Sequence, residues 1–418
     1  PTDAGKVLLE EITHSGKSKK QKNRAGQAVL IPLLAVFTGL ILGGIFIIIT
    51  SVEVYTAFGQ SFGAGIKAAW DIVTQSYSAL FTGAFGDPLQ IVQALQSGDS
   101  ALIIKAFNPF LESLVATTPY IFVSLGVALG FRAGVFNIGA EGQIFMGAIA
   151  ATFVGYSLHG LPMIIHLPLA LLAGALGGAF WGFIPGWLKA KTGGHEVINT
   201  IMMNYIAFRL SDWLLNGPMM RPNSYNPISP DIEASAWLPR FFDAPIRFHL
   251  GFFLALGIAY LVYWLLFKTT WGFDLRTVGT NPNAAKYSGM KVSRNIILAM
   301  SLSWALAGLS GTNEVLGVNH NLAMAFSSGY GFDAIAIALL GNNHPVGVVL
   351  ASLLFGFLRN GATKMQLVTA VPIDIISVLQ AVILAFIAAP AIIRTIYRLK
   401  KPAVEETSGV TISGWGGN

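Results

Sequence analysis

Cysteine is absent from the 418 residues of the chain. That excludes disulfides, thiolate zinc sites, iron–sulfur clusters and cysteine nucleophiles together, and it leaves the redox compartment unmarked. Charge is scarce too: Asp, Glu, Lys and Arg make up 11% of the residues, against about 25% in a soluble domain. Apolar residues reach 54%, so a row of three soluble domains of roughly 150 residues each is excluded and a membrane protein is implied. The 46 glycines and 19 prolines follow no Gly-X-Y period. Spread through apolar runs, they exclude collagen and low-complexity disorder and belong to packed helices.

A helix needs about 20 mainly apolar residues to cross lipid, where the backbone finds no hydrogen-bond partners outside itself. Ten segments are candidates: Ala28 to Thr50, Phe110 to Gly130, Ile138 to Leu158, Leu167 to Leu188, Val197 to Leu215, His249 to Phe267, Ile296 to Leu316, Phe332 to Leu340, Val346 to Phe357 and Ile375 to Ile396. The eighth and ninth are short, as broken or re-entrant helices would be. The expected fold is all-α and polytopic, with about ten transmembrane helices. A basic tail (1–27) precedes a membrane domain (28–400), and a polar tail (401–418) follows it. Ten crossings place both termini on one side, and eighteen of the 26 Lys and Arg then lie on that side, which the positive-inside rule makes cytoplasmic. No cleavable-signal pattern is evident, and the cluster Lys17 to Arg24 reads as an orientation signal beside anionic lipid, not as a nucleic-acid site. Two long outer segments, 51–108 and 217–247, are candidates for receiving a soluble partner or for capping the outer face.

Gly174, Gly178, Gly182 and Gly186 recur every four residues and form one helix face that lets another helix approach closely. Gly126, Gly130 and Gly134 repeat the device, as do Gly39 and Gly43. Phosphate-loop and zinc chemistry are missing. Gly16-Lys17-Ser18 has Glu11 where the first loop glycine is needed, and His195-Glu196-Val197-Ile198-Asn199 lacks the second histidine of a zinc-protease helix. Gly308-Leu309-Ser310-Gly311 matches the surroundings of an intramembrane serine nucleophile, with His320 and His344 as possible bases. Small residues crowd every span, however, and both histidines fall in loops out of helical register with Ser310.

Polar side chains inside spans are costly unless partnered, so each is a functional candidate. Three groups qualify: Asn137, Glu141 and Gln143 at the start of the third span, Asn199 and Asn204 in the fifth, and Asn313 and Glu314 near the outer end of the seventh. Asn137 and Glu141, four apart, are expected on one helical face. Amides both donate and accept, which suits hydroxyls and heterocycles, and so favours a neutral polar solute over an ion. The structural alternatives are mutual pairing that locks helices together and, for Asn313 and Glu314, a simple helix end.

The loop 268–295 is the longest internal cytoplasmic segment. Within it Asn281 can cap a short helix, Pro282 suits its first position and Gly289 can close it. A free helix of that size is marginal in water, so a partner should dock against it. Gly272-Phe273-Asp274-Leu275-Arg276-Thr277-Val278-Gly279-Thr280-Asn281-Pro282-Asn283-Ala284-Ala285, followed by Ser288-Gly289-Met290, resembles the coupling-helix loop of ABC-importer permeases of the branched-chain amino acid, ribose and simple-sugar class. Asn137-Ile138-Gly139-Ala140-Glu141-Gly142-Gln143, Gly193-Gly194-His195-Glu196-Val197-Ile198 and Ala336-Ile337-Ala338-Leu339-Leu340-Gly341 extend the likeness toward bacterial nucleoside permeases.

The resemblance runs from about residue 28 to 400. It implies a subunit of a bacterial cell membrane that hydrolyses nothing, holds no cofactor or metal, and pairs with a second, different permease chain. Two separate ATPase subunits would bind ATP and Mg. A substrate-binding lipoprotein would deliver solute outside. Asn281, Pro282, Asn283, Ala284, Ala285 and Lys286 would fit a groove in the ATPase and convert its closure into alternating access. Competing readings are an importer of a sugar or other small polar solute, a secondary transporter and an intramembrane protease.

Overall fold

The computed structural model describes residues 17–372 and 374–399. Among these residues no strand forms, and extended pairing is confined to two isolated bridges, Ile228 with Ala323 and Arg240 with His249. The helices are α1 (Lys17–Thr50), α2 (Val52–Gln60), α3 (Phe62–Phe85), α4 (Pro88–Ser97), α5 (Ser100–Arg132), α6 (Ala140–Ser157), α7 (Met163–Thr192), α8 (Glu196–Leu215), α9 (Gly251–Lys268), α10 (Thr270–Thr280), α11 (Pro282–Tyr287), α12 (Val292–Asn313), α13 (Tyr330–Leu340), α14 (Pro345–Thr369), α15 (Asp374–Ala388) and α16 (Pro390–Ile396). The expected C-terminal tail, 401–418, lies outside the described residues. Lys17 to Gln27, in the expected N-terminal tail, form the first turns of α1, since Lys, Gln, Arg and Ala are good helix formers.

The chain divides into two compact units. In the first, which among the described residues holds 17–46 and 377–399, the side chain of Ile383 fills the space beside Gly39, and Thr38 Oγ1 lies 2.9 Å from the Tyr397 hydroxyl. The second, residues 47–376, contains every site discussed below.

Among the described residues, six helices are long and apolar enough to cross a membrane: residues 33–50 of α1, Ser100–Arg132, Met163–Thr192, Gly251–Lys268, Val292–Asn319 and Pro345–Thr369. The other expected spans fall short of that measure for identifiable reasons. Helices α6 and α8 have the length, but Glu141 and Gln143 in one and Asn199, Asn204, Arg209 and Asp212 in the other dilute their hydropathy. Helix α13 has 11 residues. The expected tenth span breaks at Ala389 because Pro390 has no N–H to continue the ladder. Helix α14, expected to stop at Phe357, continues to Thr369 across Arg359, Asn360 and Lys364. Its polar groups find partners: Asn360 Nδ2 donates to the Gly83 and Pro109 carbonyls and reaches Ser113 Oγ, each at 3.0 Å.

Lipid offers helices little hydrophobic reason to associate, so close packing must hold them together. The glycine ladder of α7 supplies it. A Cβ on Gly178 would strike the Trp304 carbonyl, one on Gly182 the Trp304 ring, and one on Gly186 would lie 2.9 Å from Met300 Cβ. Helix α12 thus lies along α7, and the fully buried Trp304 fills the seam. Gly147 and Gly308 bring the backbones of α6 and α12 into contact in the same way, and Gly126 brings α5 against Ser303. The segment 51–108, expected on the outer side, is helical, with α3 packed on α14 where a Cβ on Gly83 would lie 3.1 Å from Gly361 Cα. Segment 217–247 is irregular apart from the 3₁₀ turn Ala234–Ala236.

Candidate translocation site

The amide group at the start of α6 closes on itself. Helix α6 begins at Ala140, later than expected, so Asn137 precedes it and does not share a helical face with Glu141. Asn137 Nδ2 donates to Gln143 Oε1 at 3.2 Å, Gln143 Nε2 returns a bond to Asn137 Oδ1 at 3.0 Å, and the same Oδ1 accepts the Gly139 N–H at 2.8 Å. Asn204 of α8 accepts from Gly142 N at 2.8 Å and donates to the Ile138 carbonyl at 3.0 Å. These bonds supply partners for α6 first-turn amides that no intrahelical carbonyl reaches. Asn199 stands apart from them, half-buried near the start of α8.

Glu141 has a different role. Its carboxylate accepts from Gly331 N at 2.6 Å and from Ser327 Oγ, so it caps α13 from a neighbouring helix. The N-cap residue Gly329 has no side chain to do so, and a negative charge at a helix N-terminus is favoured by the exposed N–H groups and the dipole.

Helix α13, so anchored, presents a polar and aromatic cluster that sequence reading did not select. Tyr120 of α5 donates to Asp333 Oδ2 at 2.8 Å and accepts from Arg359 Nη1 of α14 at 3.1 Å. Arg359 and Asp333 are 3.8 Å apart, and Arg359 also lies over the Tyr330 ring, 5.3 Å from its centroid. Tyr120 and Tyr330 meet edge to face at 5.0 Å. Three helices therefore converge on two aromatic rings and an ion pair whose members are each roughly a quarter to a third exposed. The missed signal was Arg359 interrupting an apolar run; the expected early end of α14 had placed it among span-end charges.

Asn313 and Glu314 are not at a helix end. Helix α12 passes directly into a π-helical turn, Glu314–Asn319, and both residues are buried. Such turns are frequent at functional sites. Neither polar atom of the Asn313 amide has a hydrogen-bond partner among the described residues. Ser310 is no nucleophile: its buried hydroxyl donates to the Pro119 carbonyl at 2.9 Å, while His320 stacks on Trp237 and His344 lies against Phe267. Elsewhere in the second unit, an open cavity of about 980 Å³ is lined by Lys105, Asn108, Arg240 and Asp243 among others.

In the loop 268–295, Asn281 Oδ1 accepts from the N–H groups of Asn283 and Ala284 at 3.1 and 3.0 Å, and Pro282 occupies the first turn of α11. Ala284 and Lys286 are exposed, whereas Ala285 is fully buried against its own chain. Among the described residues, no group of three or more His, Asp or Glu could hold a metal ion.

Residues 110–389 match the family model described as the branched-chain amino acid transport system permease component. The chain belongs to this family. The permease is 39% identical over 380 residues to the guanosine ABC transporter permease protein NupP of Bacillus subtilis, covering 89% of this chain and 97% of that one. It is 33% identical to the nucleoside ABC transporter permease protein NupB of Lactococcus lactis, covering 89% and 93%. It is 35% identical to the glucose ABC transporter permease protein TsgB13 of Haloferax volcanii, covering 73% and 87%. No solved structure matches it.

Proposed function

We propose that the permease forms the translocation pathway of an ATP-driven nucleoside importer. The observation that carries the substrate is the partly exposed Asp333 and Arg359 pair, held in place by the buried Tyr120 and Tyr330 rings: a carboxylate accepts from ribose hydroxyls, and a guanidinium donates to the acceptor atoms of a heterocyclic base. The unpartnered Asn313 amide and the neighbouring Glu314 extend this path outward. Asn137, Gln143 and Asn204 frame it as a scaffold; Glu141 positions its α13 wall. The likeness to guanosine and nucleoside permeases supports the same reading.

In this reading α6, α8, α13 and α15 also take part in the crossing, so that the full bundle has about ten helices and both termini lie in the cytoplasm of a bacterial cell. Asn281 to Lys286 dock into separate ATPase subunits, which bind ATP and Mg. A second permease chain completes the pore, and a substrate-binding lipoprotein meets the outer surface near Lys105 and Arg240. The test is uptake of labelled guanosine, cytidine and glucose by vesicles holding the co-purified assembly. ATP-dependent uptake of a nucleoside that glucose does not compete with is expected. Glucose uptake without nucleoside uptake would move the substrate to the sugar reading that the Haloferax relative favours, and uptake by this chain alone on a proton gradient would replace the ATP-driven mechanism.

A further inference from the structure

The proposed docking helix and the Tyr120–Asp333–Arg359 cluster belong to different elements, and a continuous series of rigid contacts joins them. Helix α10 leads into α11 through the Asn281 cap. It is fastened at both ends by glycine. Gly272 lies so close to the end of α9 that a Cβ there would be 2.6 Å from Leu266 Cα, and Gly279 meets the turn after α5 backbone to backbone. At that second contact Gly134 has φ +72, a conformation natural to glycine, and a Cβ on it would be 2.8 Å from Gly279 Cα. One on Gly279 would strike the carbonyl of Arg132. Motion of α10 must therefore move the 132–134 turn with it.

From that turn Arg132 reaches the next element. Its Nε donates to the Asn343 carbonyl at 3.0 Å and its Nη2 to the Asn342 carbonyl at 3.1 Å. Asn342 and Asn343 are consecutive left-handed residues, φ +53 and +52, in the turn between α13 and α14. Such a turn presents its carbonyls on the outside of a tight bend, and the planar guanidinium takes two of them at once. The Arg132 and Arg276 guanidinium groups both lie over Phe267, 5.8 and 5.1 Å from the ring centroid, and keep α9, α10 and α5 in one register. Helices α13 and α14 then carry Tyr330, Asp333 and Arg359.

We infer that Arg132 is the positioning residue through which movement of the 270–287 segment reaches the α13–α14 pair. The inference rests on the proposed docking of Asn281 to Lys286 with an ATPase. It assigns a route within this chain: α11, α10, the Gly279–Gly134 contact, Arg132, the Asn342–Asn343 turn, and the helix pair beyond it.

The test uses the assembled importer in lipid nanodiscs. Because the chain contains no cysteine, Ser328→Cys provides a single reporter in it; Ser328 is exposed, and its carbonyl faces Arg359 at 3.4 Å. Labelling of this thiol by a maleimide is compared without nucleotide and with ATP and vanadate. A nucleotide-driven change in labelling rate is expected with Arg132 intact. In Arg132→Gln it should shrink by about fivefold or more, the lower end of coupling between distant sites, while ATP hydrolysis and the melting temperature stay close to their starting values. Arg132→Lys, which keeps the charge but reaches one carbonyl, should fall between. Gly279→Ala should lose the response as Arg132→Gln does. An undiminished response in Arg132→Gln overturns the inference alone. Loss of the response together with hydrolysis and a lowered melting temperature makes Arg132 a folding residue and also overturns it. No response with Arg132 intact overturns the docking reading beneath it.

Discussion

Replacing Asn204 by Leu separates a scaffold from a pathway. Asn204 is 2% exposed and holds two backbone groups, the buried Gly142 N–H and the part-buried Ile138 carbonyl. Leucine is of similar size and satisfies neither. A buried group left unpaired costs about 1–3 kcal/mol, whereas hydrogen bonds between membrane helices average about 0.6 kcal/mol because the disordered chain also finds partners. Two such losses give roughly 1–6 kcal/mol by those limits. The expected result is a clear fall in melting temperature in detergent, with uptake per folded molecule retained. Asn204→Asp keeps the acceptor for Gly142 and loses the donor to Ile138, so it should lie between. If Asn204→Leu melts like the unaltered protein and abolishes uptake, the amide touches solute and the scaffold argument is wrong.

Asp333→Asn and Arg359→Gln should each lower uptake by about tenfold or more, since either leaves a partly enclosed charge without its partner, and the double variant should recover part of the loss; independent effects that simply add would show that the pair does not act as a unit. Ala284→Trp, on the exposed side of α11, should leave the permease folded while breaking its association with the ATPase by co-purification, and retention of the complex would count against the docking helix. Ala285→Leu should instead lower the melting temperature, because Ala285 is buried in its own chain; an unshifted transition would contradict that packing. His320 is held at a pKa of about 4, first by burial and then by the Arg240 guanidinium beside it. As the folded value lies below the ordinary value of about 6.5, its contribution is complete above pH 6.5 and is lost as pH falls toward 4. Melting scans between pH 7.5 and 4.5 should show that decline, flattened in His320→Gln, and a parallel decline in both would remove His320 as its source.

Local features were legible in sequence where chemistry acts within a few residues. Asn281 beside Pro282 marked α11, and four glycines at a spacing of four marked the face of α7 that meets α12. Glu141 was selected as a polar residue inside a span, but not its function, because the helix it caps begins at Tyr330, nearly two hundred residues away. The Tyr120, Asp333 and Arg359 cluster escaped for the same reason: each residue alone reads as a tyrosine in a span or a charge near an end. Span counting suffered from the opposite effect. Hydropathy averages a helix over all its faces, whereas α6 buries Glu141 against Ser327 and Gly331, partners that no local window contains.

The glycine contacts binding α5, α6 and α7 to α12 leave no room for even a methyl group between their backbones. Such surfaces cannot slide past one another by small steps, so these four helices shift only as one body, and relative motion must be sought between that body and the rest of the chain. A chimaera that exchanged α7 for that of another transporter without its matching α12 would bring together teeth cut to different gears, and it should fail at assembly before its substrate preference could be asked.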